Sequence, residues 1–471
     1  MSDEADILSD RKCSVKAMLA LYDRHKGEAF KNQDGQDFLS LTIGGKLRTY
    51  PLAAGVAELV KIAVKGGVVP SRHVRDELRE DLSMRALAAQ PLQTFVRMGQ
   101  HKGAIYLDLC DDTWRAVRIT AGAWEPVDDV PIRFVRGKSM KALPEPTRGG
   151  DITRLWTLVN VVDEHDRMLV LSWLVAALYP LGPCPGLAIV GSAGTCKTTA
   201  LRFLRGLIDP SITDDRGLPK DEHSLAIAAS RNWILSFDNL SGITSFLSDV
   251  LCRVSTGGSF ANRTKYSDAE ETTFKFQRPF LVNGIVDLAE RPDFADRCIN
   301  VRLSPIKVRR TEAEIGEEYE RERPALLGCL LDALAHAMAA PKLTADLPRM
   351  ADFAVLAMKA APSLGFDPNA FLEMYKQNLD ESGAAILDSD ELVPVLQKLL
   401  DRNKGKWSGS PAELHTALLR ATTNTQAVPK NARGVSAALN RLEELLAKRC
   451  GISITRDRSG KGRSLQLSTT K

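Results

Sequence analysis

The sequence predicts an α/β protein built around a mostly parallel β-sheet, and three observations support this. An apolar run at 187–190 leads into a glycine-bearing turn that ends in Lys-Thr, and 197–207 then show helical apolar spacing. Predicted strands and helices alternate over 151–306, as in a parallel sheet covered on both faces. Two later apolar strands each end in a polar residue. The predicted domains are an N-terminal α+β domain (1–150), the core (151–310), a helical lid or linker region (311–403) and a small C-terminal module (404–471).

The turn after the first core strand has almost the pattern of a phosphate-binding loop. Residues 191–199 read Gly-Ser-Ala-Gly-Thr-Cys-Lys-Thr-Thr, close to G-x-x-x-x-G-K-[ST]. Successive backbone N–H groups would form an anion-binding nest at the helix N-terminus. The Lys197 ammonium would reach the β- and γ-phosphates, and the Thr198 hydroxyl would bind Mg²⁺. The predicted ligands are ATP and Mg²⁺, and the predicted binding residues are Gly191, Ser192, Ala193, Gly194, Thr195, Cys196, Lys197, Thr198 and Thr199.

One position departs from that pattern, because Cys196 stands where the second glycine is usual. A small cysteine fits if the residue has a helical φ, so we expect the loop to tolerate it. The alternative, a surface Gly/Thr turn before an ordinary helix, is disfavoured by the motifs downstream.

Two further strands supply polar residues of the types that nucleotide hydrolysis uses. The apolar run 232–239 ends in Asp238, a carboxylate placed to hold Mg²⁺ beside Thr198. The run 279–283 ends in Asn283, which could orient the attacking water or touch the γ-phosphate. An arginine just before the last strand, Arg297, could enter a neighbouring subunit's site and stabilise the transferring phosphoryl group, with Arg291 as second choice. The alternative is that Arg297 and Arg291 are ordinary surface or helix-capping arginines.

Composition and charge limit the cellular setting and the partners. No apolar signal segment and no run long enough to span a bilayer is present, and eight cysteines are scattered without a C-x-x-C pair. These features predict a soluble, cytoplasmic protein without structural zinc, disulfides or a membrane contact. Residues 401–471 hold fourteen Lys and Arg against five Asp and Glu. That excess predicts nucleic acid as the partner, or else a solvated basic tail.

The N-terminal domain carries no catalytic set. It mixes helical spacing at 72–89 with short predicted strands at 38–43, 94–98, 104–109, 114–119 and 132–135. The carboxylates Asp108, Asp111 and Asp112 are a candidate metal cluster, although a charged hairpin turn is favoured. The Pro/Gly-rich passage 143–150 is predicted to be a linker.

The order of loop, Asp, Asn and Arg resembles that of the AAA+ ATPases, and within them the superfamily 3-type helicases and primase–helicases of phages, plasmids and genomic islands. The stretches that carry the resemblance are 191–199, Ser-Phe-Asp-Asn-Leu-Ser (236–241), Leu-Ser-Asp-Val-Leu-Cys-Arg (247–253), Arg-Pro-Phe-Leu-Val-Asn-Gly-Ile (278–285) and Arg-Pro-Asp-Phe-Ala-Asp-Arg (291–297).

The resemblance implies roles for the same residues. By this resemblance, Lys197 binds the phosphates, and Thr198 and Asp238 bind Mg²⁺. Asn283 corresponds to the sensor 1 residue. Arg297 corresponds to the arginine finger that acts in the site of a neighbouring subunit. It also implies a homo-oligomeric ring, usually a hexamer. Asn239 stands where many AAA+ proteins have the glutamate that polarises water, so the base is another acid (Asp249, Glu270 or Asp287 are candidates) or hydrolysis is slow.

Two segments are candidates for DNA contact. Residues 260–266 and 272–277 form a predicted hairpin which, by that resemblance, grips a single strand in the ring's pore, with Arg263, Lys265 and Tyr266 as contacts. The acidic tip of the hairpin leaves a solvated hairpin as an alternative. The C-terminal module, with helices at 411–420 and 432–449 and a basic turn at 457–463, resembles a winged helix binding duplex DNA. Its candidate contacts are Lys430, Asn431, Arg433, Asn440 and Arg441 on the recognition side, and Arg456, Arg458, Lys461 and Arg463 on the wing.

The sequence therefore favours an ATP-dependent DNA helicase or translocase that acts in replication of a mobile genetic element. Two other classes stay open. One is an ATP-driven DNA-remodelling or loading factor that does not unwind DNA. The other is an ATP-binding assembly switch that does not hydrolyse its nucleotide.

Overall fold

The computed structural model describes residues 14–213, 219, 221–263, 271–284, 291–306, 308–459 and 462–469. Among the helices in these ranges, none combines the length and the apolarity needed to cross a bilayer. Every cysteine in the same ranges is a free thiol.

Over residues 14–150, the N-terminal part contains two antiparallel sheets and three α-helices. The first sheet has the order β1–β2–β3 and shares a core with the helices, and the second runs β5–β6–β7–β8. The predicted strand 94–98 is divided in two, because Arg97 has a left-handed φ of 60° and turns the chain. The elements are α1 (Val15–Arg24), β1 (Glu28–Lys31), β2 (Asp37–Ile43), β3 (Lys46–Pro51), α2 (Leu52–Lys65), α3 (Arg72–Ala88), β4 (Thr94–Phe95), β5 (Met98–His101), β6 (Ala104–Asp108), β7 (Ala116–Thr120), β8 (Ala123–Val127) and β9 (Arg133–Phe134).

The carboxylate cluster of this region lies at the turn after β6 and binds arginines. Asp108 accepts hydrogen bonds from Arg136 at 2.6 and 3.0 Å, and Asp111 pairs with Arg115 at 2.8 Å. Within the described part of the chain, no group of three or more His, Cys, Asp or Glu could hold a metal ion.

The central sheet is parallel and has the strand order β11–β14–β10–β15. Helices separate the four strands of this sheet along the chain, broadly as predicted, with the hairpin β12–β13 inserted before β14. Its elements are α4 (Glu164–Ala177), β10 (Gly186–Val190), α5 (Lys197–Gly206), α6 (Glu222–Arg231), β11 (Leu235–Leu240), α7 (Ser245–Thr256), β12 (Ser259–Arg263), β13 (Glu271–Lys275), β14 (Phe280–Gly284), α8 (Pro292–Ala295) and β15 (Cys298–Arg302).

Four helices follow the sheet. The first begins at a capping box in which Thr311 and Glu314 bond each other's backbone N–H groups. Apolar spacing in the sequence predicts helices at 312–340, 350–361 and 392–401, and the third observed helix is not among them. They are α9 (Glu312–Ala339), α10 (Ala351–Ala360), α11 (Pro368–Ser389) and α12 (Leu392–Arg402).

Both faces of the central sheet are buried, which explains why β10 is apolar throughout. Leu187 and Ile189 belong to a core shared with α4, α5 and α9–α11. Ala188 and Val190 belong to a second core shared with α7 and α12. Side chains alternate between the faces of a strand, so a parallel strand covered on both sides reads as a continuous apolar run.

The C-terminal module has two helices and a three-stranded antiparallel sheet of order β16–β18–β17. The helices and the hairpin occupy the predicted segments, whereas the short first strand was missed. The elements are β16 (Lys406–Gly409), α13 (Pro411–Ala421), α14 (Ala432–Cys450), β17 (Ile452–Ser459) and β18 (Gly462–Thr469).

The passage predicted to be a linker is packed against α9. Leu143 is buried, and the Thr147 N–H donates to the Pro324 carbonyl at 3.0 Å. A Cβ on Gly328 would lie 1.8 Å from the Thr147 oxygen, so only glycine permits this approach. The N-terminal part is therefore fixed to the core along this passage.

A buried ion pair joins the same two parts. Arg97 is 0% exposed and its Nε donates to Asp209 Oδ1 at 3.1 Å, while its other nitrogens donate to the carbonyls of Asp108 and Lys141. Asp209 Oδ2 accepts the N–H groups of residues 233 and 234 at 2.9 and 3.0 Å. Neither charge has water as an alternative partner.

We expect Asp209→Ala to lower the free energy of unfolding by about 3–5 kcal/mol, because it leaves the Arg97 charge buried and unpaired. Urea unfolding of the full chain measures this. Glu125→Ala is the control, since Glu125 and Arg118 form an exposed pair that contributes about 0–1 kcal/mol. Equal losses in the two variants would contradict the role of the buried pair.

Candidate functional site

The phosphate loop connects β10 to α5, and its backbone differs from the prediction at one residue. Cys196 was expected to have a helical φ, but it has φ 60° and ψ 38°, in the left-handed region. This position therefore needs the conformation that favours glycine, and the cysteine adopts it with its side chain exposed. Gly194 also has a positive φ, of 80°.

Lys197 lies across the loop, as its predicted role requires. Its Nζ donates to the carbonyl oxygens of Gly191 and Ser192, both at 2.8 Å. Thr195, which is 1% exposed, donates its hydroxyl to the Ser192 carbonyl at 3.0 Å. The ammonium thus sits against the chain segment whose amide groups would face the phosphates.

A chain of hydrogen bonds links the loop to the two neighbouring polar strand ends. The Thr198 hydroxyl donates to Asp238 at 3.0 Å (Oδ1) and 3.2 Å (Oδ2). Asn283, 1% exposed, donates its Nδ2 to Asp238 Oδ1 at 2.5 Å. These contacts bring together side chains that are separated by forty residues or more along the sequence.

The hydroxyl of Thr198 and the carboxylate of Asp238 are oxygen donors of the kind that Mg²⁺ prefers. They lie within direct hydrogen-bonding distance of each other at the end of the loop, so the residues present fit this ion. The remaining coordination positions are open to phosphate oxygens and water.

Asn239 contributes its backbone, not its side chain, to this site. Its N–H donates to Asn283 Oδ1 at 2.5 Å, and its own side chain is exposed. A shift in the pairing register between Phe237 and Leu240 and a φ of 56° at Asn239 produce this arrangement. Of the candidate bases, Asp249 is ion-paired with Arg291 at 2.9 Å. Glu270 and Asp287 lie outside the described residues.

Arg297 lies at the opposite edge of the sheet from the phosphate loop. Its carbonyl accepts the N–H of Gly186, the first residue of β10, at 2.8 Å, whereas the loop follows the last residue. Five strand residues separate the two edges, or about 16 Å. Its Nη1 donates to the Asp293 carbonyl at 2.7 Å, and the side chain is 17% exposed.

The predicted duplex contacts of the C-terminal module fall into two groups. Asn431 caps α14, while Lys430 and Arg433 flank that cap without a side-chain partner among the described residues. Arg441, in contrast, is paired with Asp390 at 2.5 Å.

On the wing, Arg456 donates to Glu443 at 2.7 and 2.8 Å and to Asn440 at 2.6 Å. Arg458 and Arg463 are paired residues of β17 and β18, described only by their backbone. Lys461 lies outside the described residues.

The predicted pore hairpin is formed by β12 and β13, whose pairing runs from Ser259↔Lys275 to Arg263↔Glu271. The pairing of the two strands confirms that this segment forms a hairpin. Arg263 is described by its backbone, and Lys265 and Tyr266 lie outside the described residues.

Helix α11 is fixed to β15, the edge strand beside β10, by side-chain amides. Asn378 accepts the Asn300 N–H at 3.0 Å and donates to the Asn300 carbonyl at 2.7 Å, which imitates the pairing of another strand. A cavity of about 410 Å³ opens next to this contact and reaches Val190, the last residue before the loop. Asp166 lies in the wall of this cavity, and burial raises the pKa of its carboxyl group to about 6. The hydrogen bond from the Arg302 N–H lowers the pKa and offsets part of this effect.

Sequence reasoning missed one residue next to the loop. The guanidinium of Arg309 lies over Gly194, with Nη2 2.9 Å from the position that a Cβ there would take. The sequence signal was a pair of arginines, 309 and 310, shortly after the last core strand.

Matches among solved structures include three apo structures of the C-terminal region of NrS-1. Two of them are 10% identical to this chain, with TM-scores of 0.41 and 0.42, and the third is 12% identical with a TM-score of 0.42. Each alignment covers 96% of this chain and 99% of the other. Among curated proteins, none matches the sequence.

Two family models match the sequence itself. Residues 152–383 match the model described as the actinomycete integrative conjugative element replication protein. Residues 392–471 match the model described as the AICE RepA C-terminal domain. The two matches adjoin and together span about two thirds of the chain. The chain belongs to the replication protein (RepA) family of actinomycete integrative conjugative elements.

Proposed function

We propose that the chain is an AAA+ ATPase of the superfamily 3 type that forms a ring on DNA and couples ATP hydrolysis to strand translocation or unwinding. The observation that carries the proposal is the hydrogen-bonded chain from Thr198 through Asp238 to Asn283 at the end of the phosphate loop. The Thr198 hydroxyl, the Asp238 carboxylate and the Asn283 amide would there act as two metal ligands and a polar sensor, the kinds of group that phosphoryl transfer uses.

The strand order supports this assignment. β10, which carries the phosphate loop, lies between β14, which ends in Asn283, and β15, which follows Arg297. In a parallel sheet the carboxyl ends of the strands share one edge, where ligands bind. The side chains proposed to bind the nucleotide therefore lie at the carboxyl ends of the strands, and Arg297 lies at the opposite ends.

The proposed chemistry follows from these positions. Backbone N–H groups of the loop and the Lys197 ammonium bind the β- and γ-phosphates. Bound Mg²⁺ would neutralise charge on those oxygens, held by Thr198 and Asp238. Asn283 both fixes the Asp238 carboxylate and has an amide placed to orient a water molecule.

The proposed ring follows from the position of Arg297. About 16 Å of strand separates its backbone from its own loop, so a role at a phosphate would require the nucleotide of another subunit. Its hydrogen bond to the Asp293 carbonyl would hold the guanidinium until a neighbour docks. Stabilising charge on the phosphoryl group is the role proposed for it.

We infer that the C-terminal module is a winged helix that binds duplex DNA. Support comes from the order of two helices and a hairpin, and from the cations Lys430 and Arg433 at the start of α14. Recognition helices of this type contact DNA with their N-terminal residues. Arg441 and Arg456 are engaged by Asp390 and Glu443, so the proposed contacts now centre on residues 430–433.

Asn239 favours a second candidate, an ATP-binding switch without hydrolysis. Its side chain cannot accept a proton, and Asp249 is engaged by Arg291. In that case ATP would control assembly on DNA, and the same loop would bind it. Phosphate release separates the two candidates.

For the motor, we expect Lys197→Ala to lower phosphate release in the presence of single-stranded DNA by about 100-fold or more, because transition-state charge is no longer stabilised. Asp238→Asn should do the same through the metal. A steady-state phosphate assay with and without DNA measures this. Lys398→Ala, an exposed lysine of α12, is the control. If the wild-type protein binds ATP but releases no phosphate, with or without DNA, the result would support the switch instead.

We expect Arg297→Ala to lower turnover by about 1,000-fold while ATP affinity stays nearly constant, because the finger acts on the transition state in a neighbour. Mixing this variant with Lys197→Ala should restore part of the activity, since hybrid interfaces combine an intact loop with an intact arginine. Arg118→Ala, an exposed N-terminal arginine, serves as control. An equal loss of affinity and turnover would indicate ground-state binding.

We expect Lys430→Ala with Arg433→Ala to weaken duplex binding and to reduce the slope of log affinity against log salt by about 2, one unit for each lost phosphate contact. Fluorescence anisotropy over a salt series measures both. Lys398→Ala again provides the matched control. An unchanged slope would exclude residues 430–433 from the DNA interface.

A further inference from the structure

We propose that Arg309 binds the phosphates of the nucleotide held by its own subunit. This inference rests on the proposed nucleotide site and adds a residue to it from the connection between β15 and α9. The distinction from Arg297 is one of geometry, since Arg309 lies at the loop and Arg297 at the far edge of the sheet.

The position of the guanidinium is the first argument. Its Nη2 is 2.9 Å, and its Cζ 4.0 Å, from the point where a Cβ on Gly194 would lie. Gly194 is exposed and has a φ of 80°, so the loop presents bare backbone there. The cation therefore covers the loop at a residue between Ser192 and Lys197, whose amides would form the phosphate nest.

The neighbours of Arg309 fix its backbone in this place. Arg310 pairs with Glu318 at 2.5 Å and reaches the Thr157 carbonyl at 3.5 Å. Thr311 caps α9 through the reciprocal bonds with Glu314. The segment is thus anchored directly after the loop-facing side chain, by the two residues that follow Arg309.

The charge of Arg309 points to the same role. Within the described part of the chain, the Arg309 guanidinium forms no hydrogen bond or ion pair, whereas the adjacent Arg310 has a carboxylate partner. Lys197 brings a second positive charge to the loop, where it bonds only carbonyl oxygens. Two cations beside a nest of N–H groups form a site for an anion with several oxygens.

The chemistry of the guanidinium selects the ligand class. Its planar fork matches two oxygens of a phosphate, and it stays charged at all ordinary pH values. A nucleoside triphosphate seated on the loop would present such oxygens beside Gly194. Arg309 therefore neutralises phosphate charge in the ground state, so its loss should weaken nucleotide binding as well as turnover.

The test measures the Kd of the full-length protein for a fluorescent ATP analogue with Mg²⁺. We expect Arg309→Ala to raise this Kd by about 10- to 100-fold and Arg309→Lys to raise it less, because lysine keeps the charge but loses the fork. Arg79→Ala, an exposed arginine of α3, should bind like the wild type. Unchanged thermal unfolding of Arg309→Ala, measured alongside, shows that any loss is local.

A mixing experiment tests the same-subunit assignment. Arg309→Ala mixed with Lys197→Ala should show no recovery of phosphate release, because each subunit then lacks a residue of its own site. Recovery would place Arg309 in a neighbour's site and overturn the assignment. If the wild type binds nucleotide and Arg309→Ala binds it with the same Kd, the inference about Arg309 is overturned and the proposed function is not. If the wild type does not bind nucleotide, the proposed function and this inference both fall.

Discussion

The proposed nucleotide site depends on one constraint, the common edge at which β10, β11 and β14 end. Parallel pairing of Leu187 with Leu281 and of Ser236 with Leu281 sets the register that brings the three ends together. Asp238 can then accept hydrogen bonds from both Thr198 and Asn283. A slip of one residue would turn these side chains to the other face of the sheet. The two apolar cores that cover the sheet prevent such a slip, because each strand buries residues on both faces.

Helix α11 connects this sheet to the C-terminal module. Its Asn378 pairs with the edge strand through Asn300, and its Asp380 binds Lys448 of α14 at 2.8 Å. The N-terminal part is fixed just as firmly, through the buried Arg97–Asp209 pair. Both flanking parts of the chain therefore contact elements that border the proposed nucleotide site.

Much of this could be predicted from the sequence, because the signals are local. The apolar run at β10, the glycine-bearing turn and the carboxylate near the end of β11 each reflect what one strand or loop requires. The two helices of the C-terminal module and its hairpin were predicted for the same reason. The central sheet has the alternating organisation that these patterns indicate.

What the sequence could not supply depends on contacts between distant segments or on single dihedral angles. The left-handed φ of Cys196 and the turn at Arg97 leave no periodic signal. The strand β16 is only four residues long and exists because β18 pairs with it. The approach of Arg309 to Gly194 joins segments more than a hundred residues apart. The ion pair of Arg441 with Asp390 is likewise a tertiary contact.

The central claim is that a magnesium-bound triphosphate occupies the loop between β10 and α5. An experimental structure of the protein with a non-hydrolysable ATP analogue and Mg²⁺ tests it most directly. The account predicts phosphates against residues 191–198, the Lys197 ammonium moved from its carbonyl partners to phosphate oxygens, and the metal between Thr198 and Asp238. An analogue bound elsewhere, or a loop unchanged at saturating nucleotide with Lys197 still on the Gly191 carbonyl, would contradict it.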